Sequence, residues 1–362
     1  MKATTRVYPR MAYWCAALAL VASACTRHTN IPLPPSPDIE TTLFLIGDVG
    51  EPDPRQPTVS LDSMRRQAAE APQRSIIIFL GDNVYPNGIP VDSALNWPDA
   101  RRRLAAQVDA VPPGARAIFL PGNHDWAEAS AHGLYAIRLQ EKLIAALAKG
   151  RDIKMLPGNG CPGPVAVDVG RLRFIALDTQ WWLHDYIVRD ELSNCVTTIG
   201  GVTSALRGLV QSVPQGQVVI AAGHHPLMSG GEHGGYCGFS APFRRVAGAS
   251  QDILSGANRR MRDSLESAFS AKPPLLYAAG HDHNLQVLNG GPHVEYLAVS
   301  GAGSPGKASC AVYMRESYYV SQHRTGFMRV DILRNKGVLL SVYDFTGGGA
   351  YGAPFGRWLE FP

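Results

Sequence analysis

Five times along this chain a short apolar run ends in Gly or Pro and then, at once, in Asp, Asn or His. Residues 42–46 lead into Gly47-Asp48-Val49-Gly50, residues 75–80 into Gly81-Asp82-Asn83-Val84-Tyr85, and residues 115–120 into Pro121-Gly122-Asn123-His124-Asp125. Residues 218–222 lead into Gly223-His224-His225-Pro226, and residues 275–279 into Gly280-His281-Asp282-His283. Continuous apolar runs of this length suit strands covered on both faces, because a solvated face would impose alternation with polar residues. Stretches of helical character at 60–71, 99–111, 134–149, 202–213 and 257–271 separate most of them. Strand alternating with helix predicts an α/β domain, and ligands of such domains gather beyond the carboxyl ends of the strands.

Such strand ends can bring Asp48, Asp82, Tyr85, Asn123, His224, His281 and His283 to one rim, with gaps of 34, 41, 101 and 57 residues from block to block. Carboxylate and phenolate oxygens suit a hard trivalent ion; imidazole and amide oxygen suit a divalent one. A carboxylate between two ions can bridge them at roughly 3.5–4 Å, the separation used in two-metal phosphate chemistry. His281 and His283 are two residues apart, so a turn rather than extended chain must aim one imidazole at each ion. Singly, each block is weak, since Gly-Asp after a strand is common and a lone His is more often a core or surface residue. In series they resist a packing explanation, because Asp and His gain nothing by standing at the end of every main strand.

The amino end reads as an address. Lys2, Arg6 and Arg10 precede an apolar run from Met11 to Ala24 that closes on Ala22-Ser23-Ala24. That is the layout of a secretory signal peptide, and it is shorter than the ~20 apolar residues of a bilayer span. Cys25 follows directly and resembles a lipobox cysteine, although Ala22 stands where Leu is usual and Ala-Ser-Ala also suits ordinary cleavage. The expected organisation is a signal peptide over 1–24, a Pro-rich tether over 25–40 anchored by lipid on Cys25, and one domain over 41–362. Export to the cell envelope follows, as a periplasmic or outer-membrane lipoprotein, with secretion as the alternative.

Composition sharpens the partners. Of 34 Lys+Arg, three leave with residues 1–24, so 31 face 30 Asp+Glu and the formal +4 nearly vanishes. A nucleic-acid partner loses its support, because such binding needs a positive face. Arg101-Arg102-Arg103 reads as a solvated helix face. The 45% hydrophobic content excludes a disordered chain. Cys161, Cys195, Cys237 and Cys310 remain after processing, which in an oxidising compartment predicts up to two disulfides with three pairings open. Their spacing does not fit a zinc-thiolate site.

The five blocks resemble those of the calcineurin-like metallophosphoesterase superfamily and, within it, the purple acid phosphatases. The similarity is greatest to the mammalian-type tartrate-resistant acid phosphatases, over residues 81–88, over 222–226 with Glu232-His233-Gly234, and over 280–286. It spans about residues 41–345. Tyr85 narrows it, since the wider superfamily lacks a metal-binding Tyr there, and Gly50 stands where most non-purple relatives have a metal-binding His. The resemblance implies a four-layer sandwich, two facing mixed β-sheets flanked by helices, forming a single metallophosphoesterase domain. It implies Fe(III) on Asp48, Asp82, Tyr85 and His283, and a divalent Fe, Zn or Mn on Asp82, Asn123, His224 and His281. His124 and His233 would be the catalytic histidines of the substrate pocket. It also favours a Cys195–Cys237 disulfide, leaving Cys161 with Cys310.

The expected activity is that of an acid phosphatase: in-line attack of a metal-bound hydroxide on a small phosphomonoester, best below neutral pH, by a monomer. A phosphodiesterase or nucleotide or phospholipid hydrolase on the same site is the alternative, followed by a non-catalytic envelope protein that binds phosphate or iron. His225 replaces the Tyr usual after the fourth-block histidine, and the insert 229–256 matches no family loop outside His233; both are expected to bear on substrate choice. Asp125 and Asp282 are candidates to orient imidazoles or to serve as structural hydrogen-bond acceptors. Asp178 is read as structural, Trp126, Trp181 and Trp182 as packing, and His28, His132, His184, His293 and His323 as surface or loop histidines. Gly347-Gly348-Gly349 reads as a turn.

Overall fold

The computed structural model describes residues 31–51, 58–90, 97–184, 194–238, 244, 249–345 and 355–361. The signal region, Cys25, His28 and the triple-glycine turn lie outside the described residues. Four parallel strands, β1 (Ile39–Ile46), β2 (Ser75–Phe79), β3 (Arg116–Phe119) and β4 (Ile153–Met155), form one side of the first sheet. Antiparallel β12 (Thr325–Leu333), β13 (Val338–Phe345) and β14 (Phe355–Trp358) extend it, in the order β14-β13-β12-β1-β2-β3-β4. The second sheet is mixed too. Its parallel centre is β6 (Leu172–Ala176), β7 (Val218–Ala222), β8 (Leu276–Ala279) and β10 (Tyr296–Ser300). Antiparallel β5 (Val165–Val169), β9 (Leu285–Asn289) and β11 (Ser317–Ser321) complete the order β11-β9-β10-β8-β7-β6-β5.

The apolar runs are continuous because each strand feeds two cores. Leu43, Leu45, Ile76 and Ile78 point to the other sheet and join Phe174, Ile220, Leu276 and Ala278 in a central cluster. Their neighbours Phe44, Ile46, Ile77 and Phe79 point outward, where α1 (Val59–Ala69), α2 (Trp97–Asp109) and α3 (Gly133–Ala148) cover them. On the far side Ile175, Val219, Ala221 and Tyr277 pack under α5 (Ile199–Gln211) and α6 (Gly256–Phe269); the short α4 (Gln180–Leu183) follows β6. Each fully buried Leu or Ile contributes roughly 1.5–3 kcal/mol, so period-2 burial on both faces makes the sandwich the stable arrangement. No described helix is long and apolar enough to cross a membrane.

Three sequence expectations change. The disulfides join Cys161 to Cys195 and Cys237 to Cys310, with Cα separations of 5.7 and 6.1 Å, instead of Cys195 to Cys237. Both spans suit a disulfide. Arg103 is not a solvated residue: it donates to Asp99 and to the Gly50 carbonyl, at 2.6 Å each. His184 is buried, its ring edge-on to Trp126.

Candidate metal centre

The carboxyl ends of β1, β2, β3, β7 and β8 meet on one rim, where the sheets are stitched together. Gly47 donates to the Ser300 carbonyl at 2.8 Å, and the Ser300 hydroxyl donates back to Leu45 O at 2.8 Å. Asp48, Asp82 and His281, each the residue after a strand-end glycine, have φ of 60°, 54° and 67°. Left-handed backbone at a non-glycine costs roughly 1–3 kcal/mol and persists only where its surroundings hold it. Here it turns three side chains to one place.

All seven predicted donors come together there. The Tyr85 hydroxyl lies 3.0 Å from Asp48 Oδ1, 3.0 Å from Asp82 Oδ2 and 3.2 Å from His283 Nε2. On the other side of Asp82, Asn123 Oδ1 lies 3.0 Å from His224 Nε2 and 3.1 Å from His281 Nδ1, and those nitrogens are 3.3 Å apart. His224 Nε2 is also 3.4 Å from Asp82 Oδ2. Asp82 therefore belongs to both clusters.

The arrangement crowds oxygen and nitrogen atoms that only protons or metal ions can hold together. The Tyr85 hydroxyl has a single hydrogen for the two carboxylate oxygens beside it. The His224 Nδ1–H is committed to Leu80 O at 2.8 Å, so Nε2 faces the Asn123 and Asp82 oxygens, where it holds either a proton or a metal ion. Burial disfavours a charged His224, yet Asp82 outweighs it and lifts the imidazole to about 9. Burial likewise opposes ionisation of Asp82, while His224 and His124 hold its carboxyl well below the usual range. Burial, then His233, His225 and His224, keep His281 neutral. Metal ions can take the places that protons otherwise hold between these buried groups. The donor set fits a pair, with oxygen-rich coordination on the Tyr85 side and mixed nitrogen and oxygen on the Asn123 side.

The two predicted pocket histidines flank this centre. His124 has 19% of its side chain exposed; its Nδ1 bonds Pro86 O, so Nε2 lies toward Asp82 Oδ2, at 3.8 Å. His233 is 20% exposed, with its ring centroid 3.9 Å from that of His281. A cleft of about 420 Å³ opens beside Tyr85, lined by Pro86, Asn87, Ile89 and Arg103 among others.

Of the two roles open to Asp125 and Asp282, the structural one is found. Asp125 holds no imidazole; it accepts from the backbone of Asn83, Val84 and Gly122 and fixes the loop that presents Asn123. Asp282 accepts the backbone N–H of His233 at 3.0 Å and the Ser229 hydroxyl. Asp178 is structural, as expected, accepting from Trp126 Nε1 at 2.8 Å. His225 is fully buried against Thr179, at 2.9 Å, so it lines no open pocket. Sequence reasoning missed Asp252, which bonds His233 Nδ1 at 2.8 Å, and Glu128, 3.2 Å from His124 Nδ1. Neither stands after a strand, so no local signal marks it.

The fold and the paired donor clusters define a metallophosphoesterase. The family description "Calcineurin-like phosphoesterase" matches residues 41–285, and the chain belongs to that family. No curated protein matches it by sequence. Among solved structures it is similar to GAP50, the anchor in the inner membrane complex of Plasmodium, with a TM-score of 0.57 and 15% identity over 90% of each chain. It is also similar to the purple acid phosphatase PPD1 from yellow lupin (Lupinus luteus) seeds, with a TM-score of 0.53 and 17% identity over 87% of this chain. It spans 53% of that plant protein. Both likenesses concern the fold.

Proposed function

We propose that this chain is a binuclear-metal acid phosphatase of the purple type, related to the tartrate-resistant enzymes, acting on small phosphomonoesters. The observation that carries this reading is Asp82, shared between a phenol–carboxylate–imidazole cluster and an amide–imidazole cluster. Asp48, Asp82, Tyr85 and His283 would hold the ferric ion, and Asp82, Asn123, His224 and His281 the divalent Fe, Zn or Mn. Bound there, the cations would offset the negative charge of the ester and make a water acidic enough to supply hydroxide near neutral pH. His124, held through Nδ1, presents Nε2 to the phosphoryl oxygens. His233 gives a proton to the departing alkoxide. Purple colour is the direct test: metal-loaded protein should be violet, and Tyr85→Phe should bleach it. Turnover of p-nitrophenyl phosphate should exceed that of its bis ester in kcat/KM; the reverse preference would make the protein a phosphodiesterase.

The likeness to GAP50 over 90% of both chains favours a second reading, an envelope anchor that keeps the ligand set without turnover. Metal-replete protein inert toward a broad ester panel would establish it. Residues 1–24 as a signal peptide and 25–40 as a lipid-anchored tether complete the proposal; the mass of the mature amino terminus tests them.

A further inference from the structure

Asp252 belongs to neither donor cluster, yet its side chain is only 2% exposed, on the segment between His233 and α6. Its Oδ1 accepts from His233 Nδ1 at 2.8 Å and from Arg244 Nη1 at 2.6 Å, and its Oδ2 accepts from Ala249 N at 2.9 Å. Burial opposes its charge, but His233 and Arg244 hold the carboxyl below its ordinary range. The backbone of His233 is fixed as well, donating to Asp282 at 3.0 Å and accepting from Ile253 N at 3.0 Å. Arg244 Nη1 lies 3.0 Å from His233 Nδ1 but closer to the carboxylate, which is its acceptor when Nδ1 carries hydrogen.

We propose that Asp252 is the positioning residue of His233: its carboxylate takes the Nδ1 hydrogen and sets the ring so that Nε2 delivers the proton to the leaving group. This rests on the phosphatase reading. Water supplies the new P–O bond, and the electrons of the broken ester bond stay on the alkoxide. The Nε2–H bond of the imidazolium breaks as the alkoxide O–H bond forms, leaving neutral imidazole with its Nδ1–H still on an ionised Asp252. The segment that carries His233 thus brings its own orienting acid, as carboxylate–imidazole pairs do elsewhere.

An alkyl phosphate needs protonation of its leaving group far more than p-nitrophenyl phosphate does. Asp252→Ala should lower kcat on an alkyl phosphate about 10- to 100-fold with KM within about twofold, and lower p-nitrophenyl turnover less than about threefold. Asp252→Asn, which keeps an accepting oxygen, should recover part of the loss. The double variant Asp252→Ala/His233→Ala should be no slower than His233→Ala alone. Equal losses on both esters, or losses that multiply, would overturn the proposal. A second measurement does not depend on turnover: ¹⁵N-histidine spectra of zinc-loaded protein should place hydrogen on His233 Nδ1 and show mixed tautomers in Asp252→Ala. An unchanged tautomer overturns the role of Asp252, whereas a wild type inert to both esters overturns the phosphatase reading instead.

Discussion

Gly50 has no room for a side chain. A Cβ there would lie 2.5 Å from the Asn83 carbonyl carbon and 2.6 Å from Asp82 O, because the loop after β2 packs directly on this residue. Gly50 N donates to Asp82 O at 3.0 Å, and that closeness lets Asp82 and Tyr85 reach the same point. Gly122 is placed likewise, its notional Cβ 2.2 Å from Asp82 Oδ1. Gly50→Ala is expected to displace the Asp82–Tyr85 segment and reduce kcat/KM about 100-fold, the loss that a 1 Å misplacement brings. Elemental analysis should record lower metal content in the same variant; full activity with a full metal complement would show that the close packing at Gly50 is not needed. At this scale the donors were legible because each is tied to its own strand by one or a few residues. Asp252 and His225 were not, since a loop-to-loop bond and the burial of a second histidine depend on where distant backbone passes.

At the scale of elements, the loop that carries His233 is fastened to the segment after β10. Val312 donates to Gly230 O at 3.0 Å, Ser309 donates to His283 O at 2.7 Å, and the Cys237–Cys310 disulfide closes a span of 73 residues between them. Closing such a loop is worth about 4 kcal/mol on chain-entropy grounds. The variant Cys237→Ser/Cys310→Ser should therefore melt at lower temperature and raise KM, because the His233 loop loosens. It should keep its metal, because every proposed ligand stands at or just beyond a strand end. Loss of metal in that variant would tie the centre to the loop instead. The five strands that carry donors, and the helices between them, were readable to within about three residues, since burial on both faces writes an unbroken apolar run into the sequence, whereas the antiparallel strands of both sheets were not read. Disulfide pairing was not readable: four cysteines allow three pairings, and only the paths of the loops select one.

Across the whole molecule, Asp48 and Asp82 are at most 1% exposed in a core that two sheets share, so their charges need compensation from within. Cations that bind only the folded chain stabilise it by about 4 kcal/mol at a thousandfold excess over Kd. Chelation should accordingly lower Tm by several degrees, and the Asp82→Asn protein should respond less to the chelator. Equal melting with and without chelator would remove the metal pair from the folding energetics. The sequence by itself determined an α/β domain with a donor rim, because periodicity and strand-end residues are local properties that any fold of this chain must satisfy; its resemblance to the metallophosphoesterases implied the sandwich. Tertiary structure alone decided that Cys161 pairs with Cys195, that Gly50 must be bare, and that Asp252 stands behind His233. Those are distances between segments remote in sequence, set by how the two sheets pack and where the loops between them are stitched.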